Sequence, residues 1–243
     1  MNSVHVTAPF RKISVVVPFY NEAENLPRLI QELDDSLTLL NLDAEIILVN
    51  DCSTDHFSRP QISPHFPVQW IHLSQNSGQS AALYYGFQAA TGDLVGMLDA
   101  DLQNDPQDFI KLLLLLQKEN LDLVTGIRTS RQDNWIRRAS SKIANAVRST
   151  LLDDHTSDTG CSLKLMKVEA AKRLPGWNGM HRFIPALLIG MDFKTGETPV
   201  NHRPRFRGVS KVIGTKRALR ATRDLIAMIW LKNRQFKGRP LSS

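Results

Sequence analysis

Several absences narrow this chain before any motif is considered. It has two cysteines in 243 residues, Cys52 and Cys161. That is too few for a disulfide framework, and their spacing suits no metal, so they fit a reducing compartment. No run approaches the roughly 18–20 continuous apolar residues that a membrane-spanning helix needs. The opening 1-MNSVHVTAPFRK-12 has no apolar stretch of the kind a secretory signal carries. The expectation is a protein made and kept in the cytoplasm. Internal repeats and low-complexity linkers are also missing, so one domain is expected.

Acid is nearly absent from the end of the chain. Residues 201–243 hold twelve of the 30 Lys and Arg but only Asp224 of the 24 Asp and Glu, a local balance of +11 in a chain of net charge +6. The remaining 200 residues are mildly acidic, at −5. A basic end of this kind seeks phosphate, whether on a nucleotide, a nucleic acid or a lipid headgroup.

What is present is an ordinary globular composition, 42% hydrophobic and 22% charged. Segments 13-ISVVVPF-19, 45-EIILVN-50, 68-VQWIHL-73 and 94-LVGML-98 read as buried strands. Between them, 22–40 places Leu26, Leu29, Ile30, Leu33 and Leu37 on one helical face, and 78–90 reads as a second helix. A leucine-rich helix over 108–119, a short strand at 121–126 and a basic helix over 135–152 follow. Another strand and helix reach to about residue 190, an extended arm covers 199–211, and a last helix covers 215–236. Strand–helix alternation predicts an α/β fold with a mostly parallel, Rossmann-like sheet and helices on both faces.

In such sheets ligands bind beyond the carboxyl ends of the strands. Three polar clusters fall there: 18-PFYNE-22, 50-NDCSTD-55 and 99-DAD-101. The last is the most telling, because 97-MLDADLQNDP-106 leads an apolar strand directly into three aspartates. Burying even one unpaired carboxylate is costly, so a cation is expected to complete the site. Asp99, Asp101 and Gln103 offer hard oxygen donors suited to Mg²⁺ or Mn²⁺. A solvated acidic turn capping a helix before Pro106 is the plainer alternative.

The segments VVPFYNEAENL (16–26), EIILVNDCSTD (45–55), NSGQSAALYYGFQAATGDLVGMLDADLQNDP (76–106) and VTGIR (124–128) resemble family 2 glycosyltransferases of GT-A fold. IRRASSKIAN (136–145), SDTGCSLKL (157–165) and RFRGVSK (205–211) narrow the resemblance to the polyprenyl-phosphate glycosyltransferases, the group of dolichyl-phosphate mannosyltransferase. It runs in order from about residue 13 to 212. This implies a tail at 1–12, a GT-A domain at 13–212 and a basic amphipathic segment at 213–243.

The resemblance implies roles. Asp99, Asp101 and Gln103 become metal ligands, with the metal bridging the diphosphate of a nucleotide sugar. Pro18, Tyr20, Glu22, Asp51 and Ala100 become nucleotide contacts. The family often shows two acids and a glycine where this chain has Asn50-Asp51-Cys52, which leaves the base open, with UDP as the expected nucleotide. Arg128, Arg137 and Ser141 become holders of the acceptor phosphate. Arg205 and Lys211, flanking the hinge residue Gly208, close over the diphosphate. Asp101, Arg128, Arg205 and Lys211 are the residues expected to carry catalysis. Arg182 in 181-HRF-183 is a further candidate near the acceptor, Asp158 is either structural or close to the sugar, and the cysteines are packed thiols.

The implied activity is inverting transfer of a sugar to a polyprenyl phosphate at the cytoplasmic membrane face, giving a lipid-linked donor for envelope glycan or lipopolysaccharide modification. Membrane contact is then expected to be peripheral. The helix 135–152 aligns Ile136, Ala139, Ile143, Ala146, Val147 and Leu151 with Arg137, Lys142 and Arg148 off the stripe, an interfacial composition. The last helix carries 225-LIAMIWL-231 between basic residues. Core packing, a homo-oligomer or a membrane partner protein are the other uses of such faces. Three rival functions are transfer to a saccharide hydroxyl, nucleic-acid binding by the basic tail, and membrane scaffolding. The last two give the aspartate motif no task, and no nucleic-acid partner is expected. The sugar itself is left open.

Overall fold

A computed structural model describes residues 10–55, 58–60, 62–129, 152, 154, 156–204, 215–232 and 234. In chain order the elements are β1 (Lys12–Phe19), α1 (Leu26–Thr38), β2 (Asp43–Asn50), β3 (Val68–His72), α2 (Gln79–Ala89) and β4 (Leu94–Met97). A 3-10 turn at Pro106–Asp108 leads into α3 (Phe109–Lys118), followed by β5 (Leu123–Arg128), β6 (Lys164–Lys167) and α4 (Val168–Arg173). A second 3-10 turn, Met180–Arg182, precedes α5 (Ile184–Gly190), β7 (Thr195–Val200) and α6 (Thr215–Lys232).

The strands form one sheet in the order β3-β2-β1-β4-β6-β5-β7. Neighbours pair in parallel except at β6, which runs antiparallel to both β4 and β5. The expected mostly parallel sheet is therefore present, with one reversed strand near its centre. That reversal matters, because the first residue of β6 enters at the edge where β4 and β5 end.

Alternating side chains serve two cores. Ile13, Val15 and Val17 pack with Leu29, Leu33, Phe109 and Leu112 of α1 and α3, whereas Val16, Ile47 and Val49 pack with Leu83 and Phe87 of α2 and Leu187 of α5. Helices thus cover both faces, and each fully buried aliphatic side chain contributes about 1.5–3 kcal/mol. α1 begins four residues later than its apolar pattern suggests. Glu22 and Asn25 form a turn instead, with Asn25 N–H donating to the Glu22 carbonyl at 2.9 Å and Asn25 Nδ2 to Glu22 Oε2 at 2.6 Å. β7 falls partly in the stretch expected to be an arm. Its half-exposed TGETPV sequence lacks an apolar run, and Pro199 is tolerated because β7 is an edge strand.

α6 packs one side against the domain. Asp224 and Met228 are buried, and Arg182 Nη1 donates to Asp224 Oδ2 at 3.1 Å. The opposite side leaves Ile226 64% and Trp230 60% exposed, with the Arg234 guanidinium 5.3 Å from the Trp230 ring. Arg182 is thereby a tether for α6. Among the described residues, no helix is long and apolar enough to cross a membrane. The expected helix 135–152 lies outside the described residues apart from Leu152, which is buried in the core.

Candidate active site

The polar clusters meet at the carboxyl edge of the sheet. The loops after β1 and β2 are stitched together by Asn21. Its N–H donates to Ser53 Oγ at 3.0 Å, and its Oδ1 accepts from Thr54 N–H at 2.7 Å and Asp55 N–H at 3.2 Å. Asn21, Cys52 and Leu102, one in each of the loops after β1, β2 and β4, have φ of 54°, 56° and 61°. Left-handed backbone is uncommon for residues other than glycine, and it also occurs in the turns at Asn41, Asn120 and Asp192.

Asp51 is 4% exposed. Its Oδ1 accepts from Ser77 N–H at 2.7 Å and its Oδ2 from Gly78 N–H at 2.8 Å, fixing the turn that starts α2. The next residue in that turn, Gln79, donates through Nε2 to Asp99 Oδ1 at 2.6 Å. Pro18, at the end of β1, and Ala100 are buried, while Tyr20 and Glu22 are half-buried in the following loop.

Asp99 and Asp101 lie together as expected. Burial, with the charge of Asp101 added, pushes the Asp99 carboxyl up to about 6, against the Ser162 hydrogen bond and the charges of Lys164 and Arg128. Asp101 is buried and accepts from Gln103 N–H at 3.2 Å. The Gln103 amide nitrogen lies 3.4 Å from the Arg203 carbonyl, and Arg203 N–H donates to the Gln103 carbonyl at 2.8 Å. The chain leading to Arg205 therefore passes directly beside the aspartate loop. Arg203 also bridges Asp105 at 3.0 Å and Glu32 at 2.6 Å, which clamps that segment down.

Among the described residues no three His, Cys, Asp or Glu side chains are grouped to hold a metal. The donors expected from the sequence are the Asp99 and Asp101 carboxylates and the Gln103 amide. Such a set fits Mg²⁺ or Mn²⁺, which keep several waters and take further oxygens from substrate phosphates. An acid pair with one raised pKa is the environment that a divalent cation relieves.

Across the sheet, Arg128 ends β5. Its Nε donates to Asp158 Oδ2 and its Nη2 to Asp158 Oδ1, each at 2.8 Å. Gly160 makes room for this pair, since a β-carbon there would lie 2.7 Å from Arg128 Nη2. Lys164, the first residue of β6, is 1% exposed and donates to the Cys161 carbonyl. Burial pulls its pKa down, while Cys161, Asp158 and Asp99 push it up. Cys161 is a buried thiol raised by desolvation, as a packed, unreactive cysteine should be.

Arg137, Ser141, Arg205 and Lys211 lie outside the described residues. Of the other expected site residues, Pro18, Tyr20, Glu22, Asp51, Asp99, Ala100, Asp101, Gln103 and Arg128 all occupy the carboxyl edge. Gln79, Asn21 and Lys164 were missed by the sequence reading. For Lys164 a signal existed: a charge between the apolar Leu163 and Leu165.

A mostly parallel sheet with one reversed strand and an acid pair at its carboxyl edge defines a GT-A-like fold. Residues 14–174 match the family described as Glycosyl transferase family 2, and the chain belongs to that family. It is thus a glycosyltransferase, and it groups with those acting on polyprenyl phosphates. It is 33% identical over 236 residues to the dodecaprenyl-phosphate galacturonate synthase of Rhizobium johnstonii, covering 94% of this chain and 69% of that one. The undecaprenyl-phosphate 4-deoxy-4-formamido-L-arabinose transferases of an Enterobacter species and Serratia proteamaculans are 36% and 35% identical, over 82% and 84% of this chain. The chain spans 62% and 63% of the lengths of those two relatives.

Solved structures share the fold. Glucosyl-3-phosphoglycerate synthase of Mycobacterium tuberculosis, with Mn²⁺, UDP and glucosyl-3-phosphoglycerate, superposes with a TM-score of 0.64 at 21% identity, over 91% of this chain and 80% of that one. The same enzyme with Mg²⁺ and UDP gives 0.65 at 21% identity, over 91% and 79%.

Proposed function

We propose that this chain transfers a sugar from a nucleotide sugar, with UDP the expected nucleotide, to the phosphate of a polyprenyl phosphate. The observation that carries this is the pairing, at one sheet edge, of an acid pair suited to a metal-bound diphosphate with a cation, Arg128, suited to a second phosphate. The relatives acting on dodecaprenyl and undecaprenyl phosphate support the acceptor.

Pro18, Tyr20, Glu22, Asp51 and Ala100 hold the nucleotide. Asp51 keeps lone pairs for the base beyond those given to Ser77 and Gly78, because a carboxylate has about four acceptor sites. Mg²⁺ or Mn²⁺ held by Asp99, Asp101 and Gln103 would neutralise charge on the departing diphosphate. Arg128, with Arg137 and Ser141, holds the acceptor phosphate, and Arg205 and Lys211 close over the donor.

No general base is required. A phosphate monoester with a second pKa of about 6 is largely a dianion at neutral pH. One of its oxygens attacks the anomeric carbon as the bond to the diphosphate breaks, so a single displacement inverts that centre. Catalysis then reduces to positioning and electrostatic stabilisation.

The acceptor lives in a bilayer, so the enzyme works peripherally at the cytoplasmic membrane face. The exposed Ile226 and Trp230 of α6, flanked by Arg223 and Arg234, have the composition of an interfacial helix. The product is a lipid-linked sugar donor for envelope glycan or lipopolysaccharide modification.

The test is incubation of protein, Mg²⁺ or Mn²⁺ and membranes containing polyprenyl phosphate with a panel of labelled nucleotide sugars. Label from one donor entering the organic phase, and lost in Asp101→Ala, is the expected result. Label passing only to a soluble saccharide would replace this reading with transfer to a hydroxyl.

A further inference from the structure

A fully buried lysine needs a reason, since lysine is almost never fully buried unless paired. Lys164 is 1% exposed. The register places it opposite Met97 on β4 and Thr125 on β5, between the strand that delivers Asp99 two residues later and the strand that ends in Arg128. Its ammonium bonds the Cys161 carbonyl, in the loop that carries Asp158 and Ser162. Ser162 Oγ in turn accepts from Asn104 Nδ2 at 2.7 Å, on the aspartate loop. Lys164 thus lies within electrostatic reach of Asp99 on one side and of the Arg128–Asp158 pair on the other.

We propose that Lys164 is a positioning residue, the fixed counter-charge against which Asp99 and Asp101 bind a divalent cation. The same ammonium pins the 158–162 loop, and with it the Arg128–Asp158 pair, beside those acids. This rests on the divalent-cation reading of Asp99 and Asp101 given above. Neither cation nor acid can leave such a cluster without the others responding, because charges this close and this buried are poorly screened. Replacing the ammonium by an apolar chain of similar length removes a repulsion felt by an incoming divalent cation. Cation affinity should therefore rise, whereas a merely structural lysine would lower it when lost.

The full chain is titrated with Mn²⁺ alone at pH 8, following free Mn²⁺ by electron paramagnetic resonance. Lys164→Met should bind about tenfold more tightly than wild type, with Lys164→Arg close to wild type and Asp101→Ala not binding. In the transfer assay Lys164→Met should lose kcat by tenfold or more, with a smaller change in KM for the nucleotide sugar. Unchanged or weaker Mn²⁺ binding by a folded Lys164→Met would overturn the proposal alone. Absence of Mn²⁺ binding by wild type would remove both this and the cation reading. Should the variants not fold, wild-type protein decides. The ¹³Cε resonance of Lys164, assigned through its backbone, should move on adding Mg²⁺ to wild type, and a static signal would refute the role.

Discussion

Arg128 and Asp158 meet side-on, Nε to Oδ2 and Nη2 to Oδ1, both at 2.8 Å, with Arg128 N–H adding a third contact to Asp158 Oδ2 at 3.2 Å. A two-point pair fixes the plane of the guanidinium as well as its position. The guanidinium proposed to receive the acceptor phosphate is thus held in a fixed orientation by Asp158.

Removing the second partner should cost less than removing the first. The side chains are 18% and 8% exposed, and breaking a buried pair typically costs about 3–5 kcal/mol because a charge is stranded. Asp158→Ala and Arg128→Ala should each destabilise strongly in urea unfolding, and the double variant by less than their sum. Additive losses would mean that the pair is not coupled. Arg128→Ala should also lower kcat/KM for transfer by about a hundredfold or more.

In the sequence Arg128 stands in a family motif, but the place of Asp158 stays undecided, because a partner thirty residues away is not visible in a linear pattern. Strands β1, β2 and β4 are legible because their apolar runs are buried on both faces, whereas β3, expected to be buried, is a half-exposed edge strand. The reversed direction of β6 was not, since periodicity reports which residues are buried and not which way a strand runs. That reversal brings Lys164 to the site, so its role was hidden with it. The nucleotide role of Asp51 follows from the family resemblance, and its grip on Ser77 and Gly78 depends on a turn that only the fold supplies.

Glu45 gives a pH-dependent stability term far from the chemistry. Burial pushes its carboxyl up, but hydrogen bonds from Ser14, Thr91 and Lys12 override this and hold it below its ordinary value. A depressed carboxyl contributes stability above its unfolded pKa of 4.5, and that contribution is lost as pH falls through the folded value. Glu45→Gln should cost about 1–3 kcal/mol at pH 7, with the gap to wild type closing below pH 4.5. Equal gaps at pH 7 and pH 3.5 would rule out the charge as the cause.

The two sides of α6 should separate experimentally. Trp230→Glu with Ile226→Asp alters only exposed positions, so thermal stability should change little while binding to anionic liposomes falls at least tenfold. Asp224→Ala removes the contact between α6 and Arg182 and should lower thermal stability instead. Liposome binding untouched by the outer-face pair would assign those side chains to another partner, a second copy of the chain being the first to check by light scattering.

Gly160 offers the sharpest separation of acceptor from donor chemistry. Its backbone does not require glycine, since no positive φ is recorded for it, but a β-carbon would sit 2.7 Å from Arg128 Nη2 and 3.5 Å from Asp158 Oδ1. The backbone of the 158–162 loop is held by the Lys164 bond to Cys161, so the guanidinium is the part that must yield. If the guanidinium positions the acceptor phosphate as proposed, displacing it by up to about 1 Å should cost up to about a hundredfold in rate. Gly160→Ala should therefore raise KM for polyprenyl phosphate and lower kcat, while Mn²⁺ affinity at Asp99 and Asp101 stays at the wild-type value. Loss of Mn²⁺ binding together with activity would show that the two ends of the site move as one body, and wild-type kinetics would show that Arg128 does not touch the acceptor.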